Sequence, residues 1–180
     1  MAGQFTSHIM VSMIAGVIVA FPYILWEMWR FIKPGLEEGE SKYARGIVFW
    51  ASLLFLTGVL FGYYVIAPLS VNFFFTYSIS NEVQTLPTLS TYVSTVTGVV
   101  LAAGVVFELP LIVYFLSKVG MLTPSLLKKY RKHFVVVALI LSAIITPPDI
   151  FSQILVTIPL MFLYEISIRI SARVLAFNSK

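Results

Sequence analysis

The sequence predicts an all-α membrane protein with five kinked transmembrane helices in a single domain over residues 1–180. Three observations carry that prediction. Of the 180 residues, 59% are apolar and only 11% are charged, where a soluble domain carries about 25%. Apolar stretches recur at about 9–31, 46–79, 91–117, 134–145 and 154–168, several of them near the ~20 helical residues that cross a bilayer core. The twelve Lys and Arg residues fall only around 30–45, 118–132 and 169–180. By the positive-inside rule this segregation makes those three regions cytoplasmic, places the C-terminus inside and the N-terminus of this chain outside, and requires an odd number of crossings. The net charge of +4 then reflects topology, and no nucleic-acid partner is implied.

The first segment contains Pro22 and ends in Trp26, Glu27, Trp29 and Arg30, an aromatic belt with an i,i+3 acid–base pair. The second is longer than a bilayer needs and carries Pro68. Its Gly58 and Gly62 form a small-xxx-small pair suited to close helix contact. The third holds Pro110 and the fifth Pro159. Each interior proline removes an amide donor and clashes with the carbonyl four residues back, so bent helices are expected. At 1.5 Å per residue the fourth segment spans ~18 Å and the fifth ~23 Å, a flank too short for ~30 Å of hydrocarbon.

Glu108 is anomalous: an acid inside the third segment, in Val105-Val106-Phe107-Glu108-Leu109-Pro110, with no base in any apolar stretch. An acid at the centre of a membrane helix costs about 2.5–3.5 kcal/mol on insertion scales. It therefore faces a cavity or a protein partner, or serves as a structural hydrogen-bonding group for a proline-freed carbonyl. Glu37, Glu38 and Glu40 lie in the basic connector. They either bind guanidinium groups through paired, charge-assisted hydrogen bonds or simply favour the start of the next helix in open water. Glu165 is placed to pair with Arg169 at i+4. In the last connector Pro147 and Pro148 rigidify an outer turn and Asp149 caps the following helix, while Thr146 and Gln153 are polar groups at the rims of short spans.

With no cysteine and two distant histidines, the chain offers no disulfide, thiol nucleophile or multi-histidine metal site. No cofactor and no catalytic activity are expected. Neither paired intramembrane aspartates nor a Gly-x-Ser-x-Gly elbow supports an intramembrane protease. A small-solute transporter would use kinked helices and a midplane acid, but typically as internal repeats, and none is evident. A non-transporting structural scaffold is a further alternative.

Three blocks carry a resemblance: Trp29-x-Phe31-Ile32-x-Pro34-Gly35-Leu36 followed by Glu40; Phe107-Glu108-Leu109-Pro110; and Thr146-Pro147-Pro148-Asp149-x-x-Ser152-Gln153 leading to Ile158-Pro159-Leu160 and Tyr164-Glu165. In this order they resemble TatC, the polytopic subunit of the twin-arginine protein translocase. The resemblance implies the last five of the family's six helices, with the first helix lacking and the chain truncated at its N-terminus. It further implies a receptor for twin-arginine signal peptides of folded precursors. That receptor would be an assembly platform for single-span TatA/TatB-type partners and other TatC copies, working in the bacterial inner membrane on the proton-motive force. By matched motif, Glu40 would contact the signal's arginines on a surface shaped by Phe31, Pro34 and Leu36. Glu108 would present a carboxyl within the concave membrane face, and Thr146 and Gln153 would mark the docking place of a partner's span.

Overall fold

The computed structural model describes residues 2–32, 44–76, 88–146 and 149–178, which are helical apart from short turns and contain no strand. In chain order the helices are α1 (Ala2–Ile32), α2 (Ala44–Phe61), α3 (Ala67–Thr76), α4 (Leu89–Phe107), α5 (Leu109–Lys118), α6 (Pro124–Lys129), α7 (Arg131–Ile145) and α8 (Ile150–Asn178). Among the described residues four stretches are long and apolar enough to cross a membrane: Gly3–Phe31, Gly46–Phe73, Leu89–Lys118 and Ile150–Ala176. The fourth expected crossing is α7, whose 15 residues reach only about 22 Å.

Two of the prolines leave visible marks. Pro68 follows a π-helical turn, Gly62–Ile66, that joins α2 to α3 and in which the Ala67 N–H donates to the Gly62 carbonyl. The wider turn absorbs the hydrogen bond that Pro68 cannot make. Pro110 sits in the first turn of α5, two residues after Glu108 (φ −76°, ψ 1°), where α4 and α5 are parted. There the Glu108 N–H falls back to the Val105 carbonyl at 3.1 Å, and the Glu108 carbonyl accepts from Leu111 and Ile112. Pro22 and Pro159 lie inside the unbroken runs of α1 and α8.

Backbones approach closely where α2 meets α4. A Cβ added at Gly58 would lie 2.7 Å from the Phe107 Cβ, and one at Gly62 2.9 Å from the Ala103 Cβ. From the other side, a Cβ at Gly104 would lie 2.7 Å from the Phe55 ring. Phe55, fully enclosed, stacks on Phe21 of α1. The main core lies between α4, α7 and α8 around Val99, Ala103, Ala138, Val156 and Leu160.

The last helix departs from the expected 154–168 and runs for 29 residues. Charged residues end an apolar run without ending a helix. Beyond Arg169, Ser171 and Val174 are buried, and Ser171 is hydrogen-bonded to Ser117 of α5 at 2.8 Å. The stretch of α8 before Glu165 matches α7 in length, and the two meet in a bidentate ion pair. The Arg131 Nε lies 2.7 Å from Glu165 Oε1, and Nη2 donates to Oε2 at 2.8 Å. Glu165 is thus paired with Arg131 rather than with Arg169, because the fork of a guanidinium on the facing helix satisfies both carboxylate oxygens at once. The Glu27–Arg30 pair forms as spaced, at 3.8 Å.

Candidate functional site

One end of the bundle gathers the described basic residues. Trp29 packs on Phe115, with ring centroids 5.5 Å apart, bringing the end of α1 to the end of α5. The Ser117–Ser171 and Arg131–Glu165 bonds bring the starts and ends of α5, α7 and α8 together. The opposite end holds no Lys or Arg among the described residues, and there Ser7 of α1 is hydrogen-bonded to Ser90 of α4 at 3.3 Å.

At the basic end Phe31 closes the described part of α1 and is 88% exposed, an apolar ring with nothing over it among the described residues. Pro34, Leu36 and Glu40, expected to complete this surface, lie outside the described residues. Trp29 departs from the aromatic belt: Trp26 is exposed, but Trp29 is 5% exposed. Its indole N–H has no hydrogen-bond partner among the described residues, and it borders a small cavity of about 30 Å³ lined by Leu25, Ala51, Leu111 and Phe115. Its tryptophan–tryptophan spacing gave no hint of burial, since only the arrival of α5 decides which of the two rings is covered.

Glu108 occupies the break between α4 and α5. Its side chain is 6% exposed, and neither carboxylate oxygen has a hydrogen-bond partner among the described residues. The backbone of Phe55 on α2 faces it without reaching hydrogen-bond geometry. At the break the side chain turns inward, toward the backbone of Phe55 on α2. The structural alternative, a bond to a proline-freed carbonyl, is not made among the described residues. A buried group in this state bears the loss of its water without compensation, a cost of about 1–3 kcal/mol or more for a charged group. Phe55, the neighbour that faces it from α2, carried no signal of this role in the sequence.

Thr146 and Gln153 are brought together at the α7–α8 turn, but their bonds stay within the chain. Thr146, 4% exposed, donates its hydroxyl to the Ser142 carbonyl at 2.7 Å. The Gln153 amide donates to the Leu139 carbonyl at 3.1 Å, and Ser142 meets Thr157 at 3.0 Å. Gln153 and the Ser142–Thr157 pair thus lace α7 to α8 through the apolar layer, while Thr146 closes the end of α7 on itself. Pro147 and Pro148 lie outside the described residues.

Asp149 caps α8. Its Oδ2 accepts from the Ser152 N–H at 2.8 Å and from the Ser152 hydroxyl at 2.9 Å. These bonds, the backbone one foremost, hold its carboxyl below the usual carboxylate range. Because the folded value lies below the unfolded one, the cap's contribution is present above the unfolded pKa and is lost as pH falls through the depressed folded value. Protection of the amides in the first turn of α8, taken relative to their intrinsic exchange at each pH, is accordingly expected to fall on acidification. Asp149→Asn, which keeps a capping oxygen, is expected to flatten that pH dependence; an unchanged profile would remove the cap from the account.

Fold and site together define a multi-pass helical membrane protein, with the single carboxyl buried among its described residues held at a helix break. The chain belongs to the TatC family: the model of that family, described as Sec-independent protein translocase protein (TatC), matches residues 1–159. It is 46% identical over 169 residues to the TatC of Blattabacterium sp. subsp. Periplaneta americana (strain BPLAN), covering 94% of this chain and 64% of that one. Against the TatC of Helicobacter pylori (strain J99) it is 43% identical over 164 residues, covering 91% and 66%. The chain thus spans about two thirds of the length of these relatives. A crystal structure of the twin arginine translocase receptor TatC, obtained in DDM, superposes with a TM-score of 0.74 at 38% identity, covering 91% of this chain and 73% of the other.

Proposed function

We propose that this chain is the receptor and assembly subunit of a twin-arginine protein translocase in a bacterial inner membrane. In this reading its basic end faces the cytoplasm, the C-terminus lies inside, and its own N-terminus lies outside. The observation that carries the proposal is the family match across residues 1–159; the feature that gives it chemistry is the unsatisfied carboxyl of Glu108.

Recognition begins at the basic end. Two arginines of a signal peptide pair with Glu40, where bidentate bonds between guanidinium and carboxylate are strong and directional. The exposed ring of Phe31, with Pro34 and Leu36, provides an apolar surface beside them. An arriving segment, either the inserted signal or a TatA/TatB-type single span, then supplies the donor that Glu108 lacks. Such a bond to a charged group is worth about 1.5–3 kcal/mol, the more readily gained because the chain has already borne the carboxyl's desolvation. Thr146 acts by closing the end of α7 and Gln153 by tying α8 to α7, giving a partner's span a preformed edge to dock on. Beyond Lys132, α7 offers 13 residues without Lys, Arg, Asp or Glu, His133–Ile145, so with the Arg131–Glu165 pair it bounds a layer about 20 Å thick, against ~30 Å of ordinary hydrocarbon. The bilayer thins there, which eases passage of a folded precursor driven by the proton-motive force. Other copies of the subunit complete the assembly.

The test is site-specific crosslinking of a twin-arginine signal peptide to the chain fused to a relative's first membrane helix, in membranes that hold the single-span partners. Glu40→Gln is expected to lower the crosslinked yield by about tenfold, the loss of one charge-assisted pair. Undiminished yield would discard Glu40 as the arginine contact.

A further inference from the structure

The short helix α6 bears a feature that signal recognition does not use. Helix α5 is stopped by Gly120 in the left-handed region (φ +81°), with the Gly120 N–H donating to the Ser117 carbonyl and the Met121 N–H to the Leu116 carbonyl. Thr123 then starts α6, its hydroxyl accepting from the Leu126 N–H at 3.3 Å. One side of α6 is anchored. Leu127 is buried with Val113, Tyr164 and Ile168, and its carbonyl accepts a 2.8 Å hydrogen bond from the Tyr164 hydroxyl. The orientation of the helix is therefore set, and with it the side that faces outward.

That outward side combines two kinds of residue. Val119, Met121, Leu126 and Tyr130 are exposed apolar groups, and Lys128, Lys129 and Lys132 are exposed cations. No acid occurs in the sequence between Glu108 and Asp149. Arg131 is already committed to Glu165, and among the described residues no carboxylate lies within ion-pair distance of the three lysines. A water-facing turn has no use for four bare apolar side chains beside unneutralised charge. The place of α6, between the end of the Leu89–Lys118 crossing and the start of α7, is the level of lipid headgroups. There, apolar side chains enter the acyl boundary while lysine stems reach to the phosphates.

We propose that α6 and its flanks form a binding site for an anionic phospholipid, with Val119, Met121 and Leu126 in the acyl boundary and Lys128, Lys129 and Lys132 around the headgroup phosphate. Anchoring by Leu127 and Tyr164 makes this a fixed site rather than a diffuse attraction. Each lysine near an anionic surface is worth about fivefold in partitioning before screening.

The test is retention of lipid by the purified full chain, equilibrated in mixed micelles of phosphatidylglycerol and phosphatidylcholine and read by mass spectrometry. The chain is expected to prefer phosphatidylglycerol by about tenfold or more, and Lys128→Gln/Lys129→Gln/Lys132→Gln to bring the two lipids within about twofold. Arg169→Gln/Arg173→Gln, at the same end of the bundle, is expected to keep the preference. Leu126→Ser, with all charges intact, is expected to lower retention of both lipids by about threefold, in keeping with partial loss of one apolar anchor. All the substituted side chains are exposed, and helicity by circular dichroism checks each variant. A preference that survives the triple lysine variant overturns the site, as does an equal loss in the arginine variant. Displacement of the lipid by soluble glycerol phosphate would show a free-phosphate site instead, and tighter binding of an acidic peptide than of phosphatidylglycerol would show a protein-binding surface; either result also overturns it.

Discussion

Glu108→Ala is expected to cut association with the single-span partners, and export of a folded twin-arginine reporter, by about tenfold or more while folded chain stays within about twofold. The separation follows from the carboxyl's surroundings. Because neither oxygen is hydrogen-bonded among the described residues, its removal breaks no bond within them. Losing one buried methylene and leaving a carboxyl-sized cavity together cost about 1–2 kcal/mol, and abolishing an unsatisfied buried polar group returns about 1–3 kcal/mol. The two nearly cancel in the folded state. What disappears is the bond an incoming segment would make. Export measured beside the amount of monodisperse protein checks this directly, and full export by the alanine variant would reduce Glu108 to a packing residue. Glu108→Gln, which keeps shape and one acceptor, is expected to fall between wild type and alanine.

Gly58→Leu has the opposite signature, a loss of fold. A side chain at position 58 meets the Phe107 Cβ at 2.7 Å and the Ala103 carbonyl at 2.8 Å. A backbone carbonyl cannot rotate away as a side chain can, so α2 and α4 must part. Overpacking costs about 1–3 kcal/mol and occasionally more, and contact with backbone places this case at about 3 kcal/mol or above. Thermal unfolding in detergent followed by size-exclusion chromatography is the measurement. Gly46→Leu is the control, because a Cβ there meets nothing within 4 Å and little change is expected. Equal tolerance of leucine at both positions would refute the close α2–α4 contact. The same parting would displace the end of α4 that leads into the Glu108 break, so partner association is expected to fall with stability in Gly58→Leu, unlike the selective loss in Glu108→Ala.

Much of this was legible from local rules. Apolar runs located the four described stretches long enough to cross a membrane because the cost of burying charge in hydrocarbon acts residue by residue. Pro68 and Pro110 marked places where the helical hydrogen bonding is irregular because a missing amide acts on the carbonyl four residues back. Glu108 stood out as an acid without a base, and Gly58 and Gly62 as a contact face. Asp149 read as a cap because capping is a bond between near neighbours. The misreadings share one origin. Glu165 was given Arg169, four residues on, but took Arg131 on another helix. Trp29 was read as an interfacial ring until α5 covered it, and α8 was ended at its first arginines although Ser171 and Val174 still pack.

By itself, therefore, the sequence determined which segments leave water, where their helices are interrupted and which groups are out of place in lipid. Each of these depends on a residue's own transfer free energy or on its immediate backbone neighbours. Only the tertiary structure decided that the Glu108 side chain is buried beside α2, that Gln153 and the Ser142–Thr157 pair join α7 to α8 while Thr146 bonds within α7, and that α6 turns its lysines outward. Those outcomes depend on which helix faces lie against each other, and packing between distant segments is not encoded in any one of them.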